Sequence, residues 1–363
     1  MEMSLSQRRS RALKSAASAG AEALLVTHGA DLRYLCGFTG SAGALAVVQG
    51  RARLFTDGRY REQAKAEVEG VTVSIESRSA MLAAVEWLVS RGVARCAFDA
   101  THTTVSQLEQ MRRQLPGPKR RSFFVATEGV VAALREVKDA GEVERMRRAA
   151  ALGCALFDGV LHEIAAGVPE VRIAAWLEQE ARRRGAEAMS FETIVASGER
   201  SALPHGRATS ARVPRKGFVT LDFGVVLDGY CSDMTRTVHV GRPGNEARSV
   251  YDSVLEAQLA AIHAVRSGVE SGEVDEAARS VLRRAGLDGE FVHSTGHGVG
   301  LEIHEGPRLA ARQTTKLRSG MVVTVEPGVY RAGEFGVRIE DMVLVTAAAC
   351  EIMTPSPKTL IEL

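Results

Sequence analysis

The chain has 363 residues, enough for two domains, and its 45% hydrophobic and 25% charged content fits a folded globular protein and excludes long disorder. The 46 Lys/Arg nearly cancel the 44 Asp/Glu, leaving a formal charge of +2, so nothing in the balance calls for a nucleic-acid partner. Apolar runs are broken before they reach bilayer length and no apolar tract follows the basic start, so no membrane association is expected and the expected location is the cytoplasm. Five scattered cysteines, with no close pair, indicate neither a disulfide framework nor a thiolate zinc knot.

The first elements read as a small α/β domain. Residues 23–27, 44–48 and 53–56 are apolar runs of strand length, punctuated by His28-Gly29, Gly50 and Asp57-Gly58. Residues 58–67 and 80–91 read as helices, the second with Met81, Leu82, Val85, Leu88 and Val89 on one face. Pro116-Gly117-Pro118 and the charges of Lys119, Arg120 and Arg121 oppose regular structure, so a boundary is expected nearby, with the cluster a solvated linker rather than an anion site. The expected division is residues 1–135 and 136–363.

Asp139 with Glu142 three residues on forms a helix-opening signature, and Met146, Leu152, Leu156, Leu161 and Ile164 extend the helix until Gly167-Val168-Pro169 stops it. Further helices are expected over 170–184, 245–265 and 273–284, with hairpin-like strands between and after them. Two stretches, Lys216–Gly224 and Ser319–Gly328, repeat one pattern: β-branched residues rise to a carboxylate, Asp222 or Glu326, then pass a glycine, and a second acid follows at Asp233 or Glu340. This repetition suggests two half-domains with a site between them.

Acids within apolar strand patterns are costly to bury unless they are paired or bound to a cation. Asp228-Gly229 is a tight-turn signal that can fold Asp222 and Asp233 together, and the segment from Glu326 through Gly333 to Glu340 repeats the arrangement. Clustered oxygen ligands suit manganese or magnesium, and a histidine widens the range to cobalt, zinc or iron. His297, flanked by Gly296 and Gly298, is the nitrogen candidate. Taken singly, each acid reads more readily as a surface charge or a satisfied ion pair; the five together shift the balance to a metal site.

The motifs then carry a specific resemblance. Leu203-Pro204-His205-Gly206, Leu221-Asp222-Phe223-Gly224, Ser232-Asp233-Met234-Thr235-Arg236, Thr295-Gly296-His297-Gly298, Ile303-His304-Glu305, Val325-Glu326-Pro327-Gly328 and Val337-Arg338-Ile339-Glu340-Asp341 occur in order. With Tyr34–Ser41 and Thr56–Tyr60 ahead of them, the chain resembles the Xaa-Pro peptidase branch of the M24 metallopeptidases. The resemblance implies an α/β protein with a small creatinase-type N-terminal domain and a pseudo-twofold pita-bread catalytic domain of antiparallel sheets and covering helices.

It further implies two divalent ions, Mn²⁺ by preference with Co²⁺ or Zn²⁺ as alternatives. Asp222, Asp233, His297, Glu326 and Glu340 would hold them, Asp233 and Glu340 bridging. Glu326 is also expected to relay a proton, and His205, His293 and His304 to bind substrate, stabilise charge or pass a proton to the leaving amine; a neutral, hydrogen-bonded core role is the alternative for His293. Arg338 is expected to order the acids or the substrate through its planar fork. The implied substrates are short peptides with proline in second position. The reading favours an Xaa-Pro aminopeptidase over an Xaa-Pro dipeptidase, and either over creatine-type hydrolysis or an inactive peptide-binding homologue. A homodimer is expected by the same resemblance.

Overall fold

The computed structural model describes residues 2–363, and the chain divides into two units, Met1–Arg135 and Glu136–Leu363. The first unit runs α1 (Leu5–Ser18), β1 (Ala23–Val26), α2 (Gly29–Cys36), β2 (Gly43–Val48), β3 (Arg51–Asp57), α3 (Arg61–Glu67), β4 (Thr72–Glu76), α4 (Ala80–Ser90), β5 (Cys96–Asp99), α5 (Val105–Arg113), β6 (Phe124–Thr127) and α6 (Ala132–Arg135). Its strands form one mixed sheet in the order β4-β3-β2-β1-β5-β6. The hairpins β1–β2 and β2–β3 are antiparallel, whereas β4, β5 and β6 join in parallel through helical crossovers. The apolar face of α4 closes over β2 and β3, placing Ala84, Val85 and Leu88 in a core with Ala44, Ala46 and Phe55.

The second unit continues with α7 (Ala140–Val160), α8 (Glu170–Arg183), β7 (Ala188–Met189), β8 (Ile194–Ser197), β9 (Gly217–Phe223), β10 (Val225–Leu227), β11 (Tyr230–Cys231), β12 (Met234–Val240), α9 (Asn245–Ala264) and α10 (Ser271–Arg284). It closes with β13 (Gly296–Gly298), β14 (Glu305–Leu309), β15 (Val322–Val325), β16 (Gly328–Arg331), β17 (Phe335–Arg338), β18 (Asp341–Val345) and β19 (Cys350–Ile352). The first half supplies the sheets β12-β9-β8 and β11-β10-β7, covered by α7 and α8; the second supplies β14-β13-β15-β18-β19 and β16-β17, covered by α9 and α10. Each half has its own core, one around Leu156, Leu177 and Leu221, the other around Val254, Val281 and Val323. Side chains of this size each contribute about 1.5–3 kcal/mol on full burial. These cores make the sheets a rigid support for polar groups at their inner edges.

Several expected boundaries move, each for a local reason. The basic segment near Arg120 is not a boundary: a short 3-10 turn spans Gly117–Arg121 inside the first unit, and Lys119 and Arg120 donate to the carbonyls of Val93 and Leu115. The Asp139–Glu142 box opens α7 as expected, but the α-helix ends at Val160 and tightens into a 3-10 turn, so Ile164 lies beyond it in extended conformation. Residues 58–67 split into a 3-10 turn, Gly58–Tyr60, and α3. Helix α10 begins before Glu273, because Glu270 and Glu273 form a capping box that draws Ser271 into the first turn. No described helix is long and apolar enough to cross a membrane.

Candidate metal centre

Strands β9 and β12 pair antiparallel with Asp222 opposite Thr235, and Asp228 (φ 48°) and Gly229 (φ 77°) make the tight turn at the far end of the hairpin. Both strands are interrupted at one level, and Asp233 occupies the break just before β12. The second half repeats this design. Strands β15 and β18 pair Val325 with Asp341; Glu326 follows β15 directly, and Glu340 sits in the gap between β17 and β18.

The halves are stitched together beside the acids. The Glu340 N–H donates to the Thr235 carbonyl at 3.1 Å, the Thr235 hydroxyl donates to Glu340 Oε2 at 2.6 Å, and the Thr237 hydroxyl donates to the Arg338 carbonyl at 2.9 Å. Behind them, buried Arg236 donates to Asp341 at 2.7 Å and to the carbonyls of Thr354 and Ser356, fixing the backbone that carries Glu340.

Carboxylate oxygens of Asp222, Asp233 and Glu340 lie within 4.8 Å of one another. On the other side of Asp233, the Nε2 of His297 is 3.7 Å from Asp233 Oδ2 and 3.5 Å from Glu326 Oε1. The backbone there is too close to its neighbours for side chains: a Cβ on Gly296 would lie 2.0 Å from the Thr324 carbonyl oxygen, and one on Gly298 equally near that of Gly306. The His297 Nδ1–H donates to the Gly298 carbonyl at 3.0 Å, which leaves the Nε2 lone pair facing the acids.

Four carboxylates therefore face one guanidinium, that of Arg338, and the resulting excess of negative charge shows in the proton affinities. Burial, then the charges of Glu340, Asp222 and Glu326, push the Asp233 carboxyl well above its ordinary range, and burial followed by Glu326 does the same to Glu340. Burial raises Glu326 to about 8, against the pull of Arg338. Burial also lowers His297 to about 4, so its ring is neutral and available as a ligand. Asp222 Oδ1 is buried with no hydrogen-bond partner among the described residues. A set of acceptors with one orphaned oxygen and too few protons or cations to balance it suits divalent cations, and its mixed carboxylate–imidazole donors can hold them.

All nine residues singled out from the sequence line one cavity of about 690 Å³. Their surroundings separate them. The rings of His205 and His304 are exposed to it, and His304 meets His297 edge-on at 4.5 Å between ring centroids. His293 is held at both nitrogens: Nδ1 donates to the Ser294 carbonyl at 2.8 Å, and Nε2 accepts from the Tyr330 hydroxyl at 2.8 Å. Burial lowers its pKa to about 4, keeping it neutral. Arg338 spreads its fork over Asp222 (2.5 Å), the Thr235 hydroxyl (3.1 Å), the Tyr330 hydroxyl (2.7 Å) and the Pro204 carbonyl (3.0 Å). The Asp275 carboxylate accepts from the N–H and hydroxyl of Thr295, and Arg279 bonds Asp275 and the His293 carbonyl, so the segment leading to His297 is tied to α10.

Tyr330 and Thr235 were not among the residues chosen from the sequence. Thr235 shared a signal with Asp233, since residues two apart on a strand face the same side. Tyr330 had none: its role depends on the hairpin β16–β17 bringing it to Arg338 and His293.

A model of metallopeptidase family M24 matches residues 144–347, and one of the creatinase/prolidase N-terminal domain matches residues 8–137. The protein described as "Uncharacterized peptidase YqhT" of Bacillus subtilis is 38% identical over 95% of this chain and 96% of its own length. Among solved structures, an Xaa-Pro dipeptidase from Bacillus anthracis superposes with a TM-score of 0.95 at 38% identity, covering 99% of this chain and 100% of that one. An X-Pro aminopeptidase from Thermotoga maritima superposes with a TM-score of 0.88 at 35% identity over 96% of this chain and 100% of its own.

Proposed function

Since the chain belongs to metallopeptidase family M24, with a creatinase/prolidase N-terminal domain ahead of the catalytic unit, we propose that it is an exopeptidase that hydrolyses Xaa-Pro bonds at the N-terminus of peptides. The observation that carries the reading is the convergence of Asp222, Asp233 and Glu340 within 4.8 Å, with His297 and Glu326 adjoining Asp233. In this proposal those five residues would hold two divalent ions, Mn²⁺ by preference.

When bound, such ions supply a water acidified to react near neutral pH and a Lewis acid for the scissile carbonyl. The chain's own groups do the rest. Glu326, oriented by a hydrogen bond from the Thr324 hydroxyl at 3.1 Å, takes up the proton released from water. His304 and His205, exposed to the cavity, contact the substrate and return a proton to the departing amine. His293, with both nitrogens engaged, acts through Tyr330 instead, and the pair holds Arg338 against Asp222. No serine or cysteine nucleophile is needed.

The aminopeptidase reading is the main one: one residue is released from a longer peptide. The dipeptidase reading is favoured by a specific feature, the exposed Arg308 on the cavity wall, which forms no ion pair among the described residues and can bind a terminal carboxylate; nearby Arg207 is already paired with Glu192 at 2.8 Å. Comparing Xaa-Pro with Xaa-Pro-Yaa cleavage by the Mn²⁺-loaded protein tests both. Cleavage of the tripeptide supports the aminopeptidase, exclusive cleavage of the dipeptide selects the dipeptidase, and no cleavage of either by a fully loaded protein overturns the activity. Residence in the cytoplasm and a homodimer belong to the same proposal, the latter checked by sedimentation.

A further inference from the structure

The first unit carries a second polar cavity, with charge opposite to that of the metal centre. Arg51 and Arg53 alternate with Ala52 on β3, so both point to the face that carries Phe55, the face covered by α4. Phe55 packs inside against Trp87 of α4, with ring centroids 6.1 Å apart. Arg91 caps α4 four residues after Trp87, one turn further along the same side. The guanidinium carbons of Arg53 and Arg91 lie 5.6 and 5.4 Å from the centroid of the Trp87 ring, and Arg51 lines the same cavity of about 440 Å³.

None of these three arginines forms an ion pair or a hydrogen bond to a carboxylate among the described residues. Glu86, beside Trp87 in sequence, is committed to Arg78. The indole N–H of Trp87 is buried with no acceptor among the described residues. The charged side chains of the cavity are thus all cations. Cation–π contact offsets part of the repulsion between two guanidiniums at one ring, but it neutralises neither. A planar guanidinium matches phosphate oxygens in pairs, and a cavity of this size accommodates a small molecule.

We propose that this cavity between β3 and the end of α4 binds a small phosphate-bearing anion, held by Arg51, Arg53 and Arg91 beside Trp87. The ligand is identified by its chemistry: at least two negative charges, several oxygens that accept pairs of N–H groups, and no need of a metal. The site lies wholly in the first unit.

The chain has two tryptophans, Trp87 and Trp176, so Trp176→Phe leaves Trp87 as the sole indole reporter. The full-length, Mn²⁺-loaded W176F protein is titrated with inorganic phosphate and pyrophosphate while Trp87 emission and peptide hydrolysis are followed. Saturable change in Trp87 emission is expected. Replacing Arg53 or Arg91 by Gln is expected to weaken the apparent affinity by about tenfold or more, the loss of a charge-assisted contact, without changing turnover. Arg51→Gln, at an exposed position, repeats the test with a change that leaves the core untouched. An emission response equal in W176F and its R53Q and R91Q forms, or none at millimolar phosphate, overturns the proposal. So does a change in oligomeric state that follows the arginine substitutions while the anion response does not, which would assign the arginines to contact with a second copy.

Discussion

The two hairpins that carry the acids are built alike but aim their arginines differently. The β9–β12 hairpin brings Asp222 and Asp233 with Arg236, three residues after Asp233, whose guanidinium is bonded to Asp341 of the second half; the β15–β18 segment brings Glu326 and Glu340 together with Arg338, two residues before Glu340. At the matching position before Asp233 the first half has Cys231. Each guanidinium crosses to an acid of the other half, Arg338 to Asp222 and Arg236 to Asp341, but only Arg338 reaches the acids of the centre. The comparison teaches that duplicated architecture does not duplicate electrostatics: the half with the short acids spends its own guanidinium on the backbone behind the centre and takes the one that faces Asp222 from the half with the long acids.

The comparison breaks most completely at Asp233, which lies between the other acids. Asp233→Asn is expected to lower kcat/KM by about a thousandfold or more, as loss of several kcal/mol of metal-based stabilisation implies. Metal content by mass spectrometry should fall with it; full occupancy and near-normal turnover would remove Asp233 from the centre. Arg338→Lys keeps the charge but loses the fork that spans both halves, so a drop of about 10- to 100-fold is expected with metal retained. Unaltered turnover in a folded, metal-loaded variant would show that charge alone suffices.

Tyr330→Phe removes only the hydroxyl between Arg338 and His293, and about a fivefold to tenfold decrease in kcat is expected from one lost hydrogen bond to a charged group. A change confined to KM would place Tyr330 in substrate binding instead. The smallest effect is on stability. In metal-free protein Glu326 titrates at about 8 and Asp233 and Glu340 are also raised, so the folded chain holds protons that the unfolded chain has released. Their contribution is complete below the ordinary carboxylate range and declines as pH rises through the raised values. His293 and His297, lowered to about 4, act oppositely but only below their ordinary pKa. Between pH ~7 and ~9 the melting temperature of the chelator-treated protein should therefore fall, while the metal-loaded protein holds steady. Equal pH dependence in the two would mean that the acids are balanced without metal.

Legibility in the sequence followed the range over which each feature is encoded. The apolar stripe of α4, the capping box at Asp139 and Glu142 and the turn at Asp228-Gly229 involve residues within one or two turns of each other, and the structure contains all three. The end of α7 was less legible, because a glycine-proline stop marks only the last residue that a helix can reach, and packing ended it earlier. The turn at Gly117–Arg121 read as a boundary because prolines and charges look the same at a domain edge and at a loop between two elements of one sheet.

By itself the sequence determined the chemistry on offer: which strands carry acids, which glycines flank His297, and that the same carboxylate pattern occurs twice. Those properties reside in side-chain type and short-range spacing. Only the tertiary structure decided that Arg338 meets Asp222 across 116 residues, that Tyr330 links it to His293, and that the arginines around Trp87 gather without an acid. Such contacts depend on the register of whole strands and the packing of helices upon them, and local composition carries no record of which distant groups that packing brings within a few ångströms.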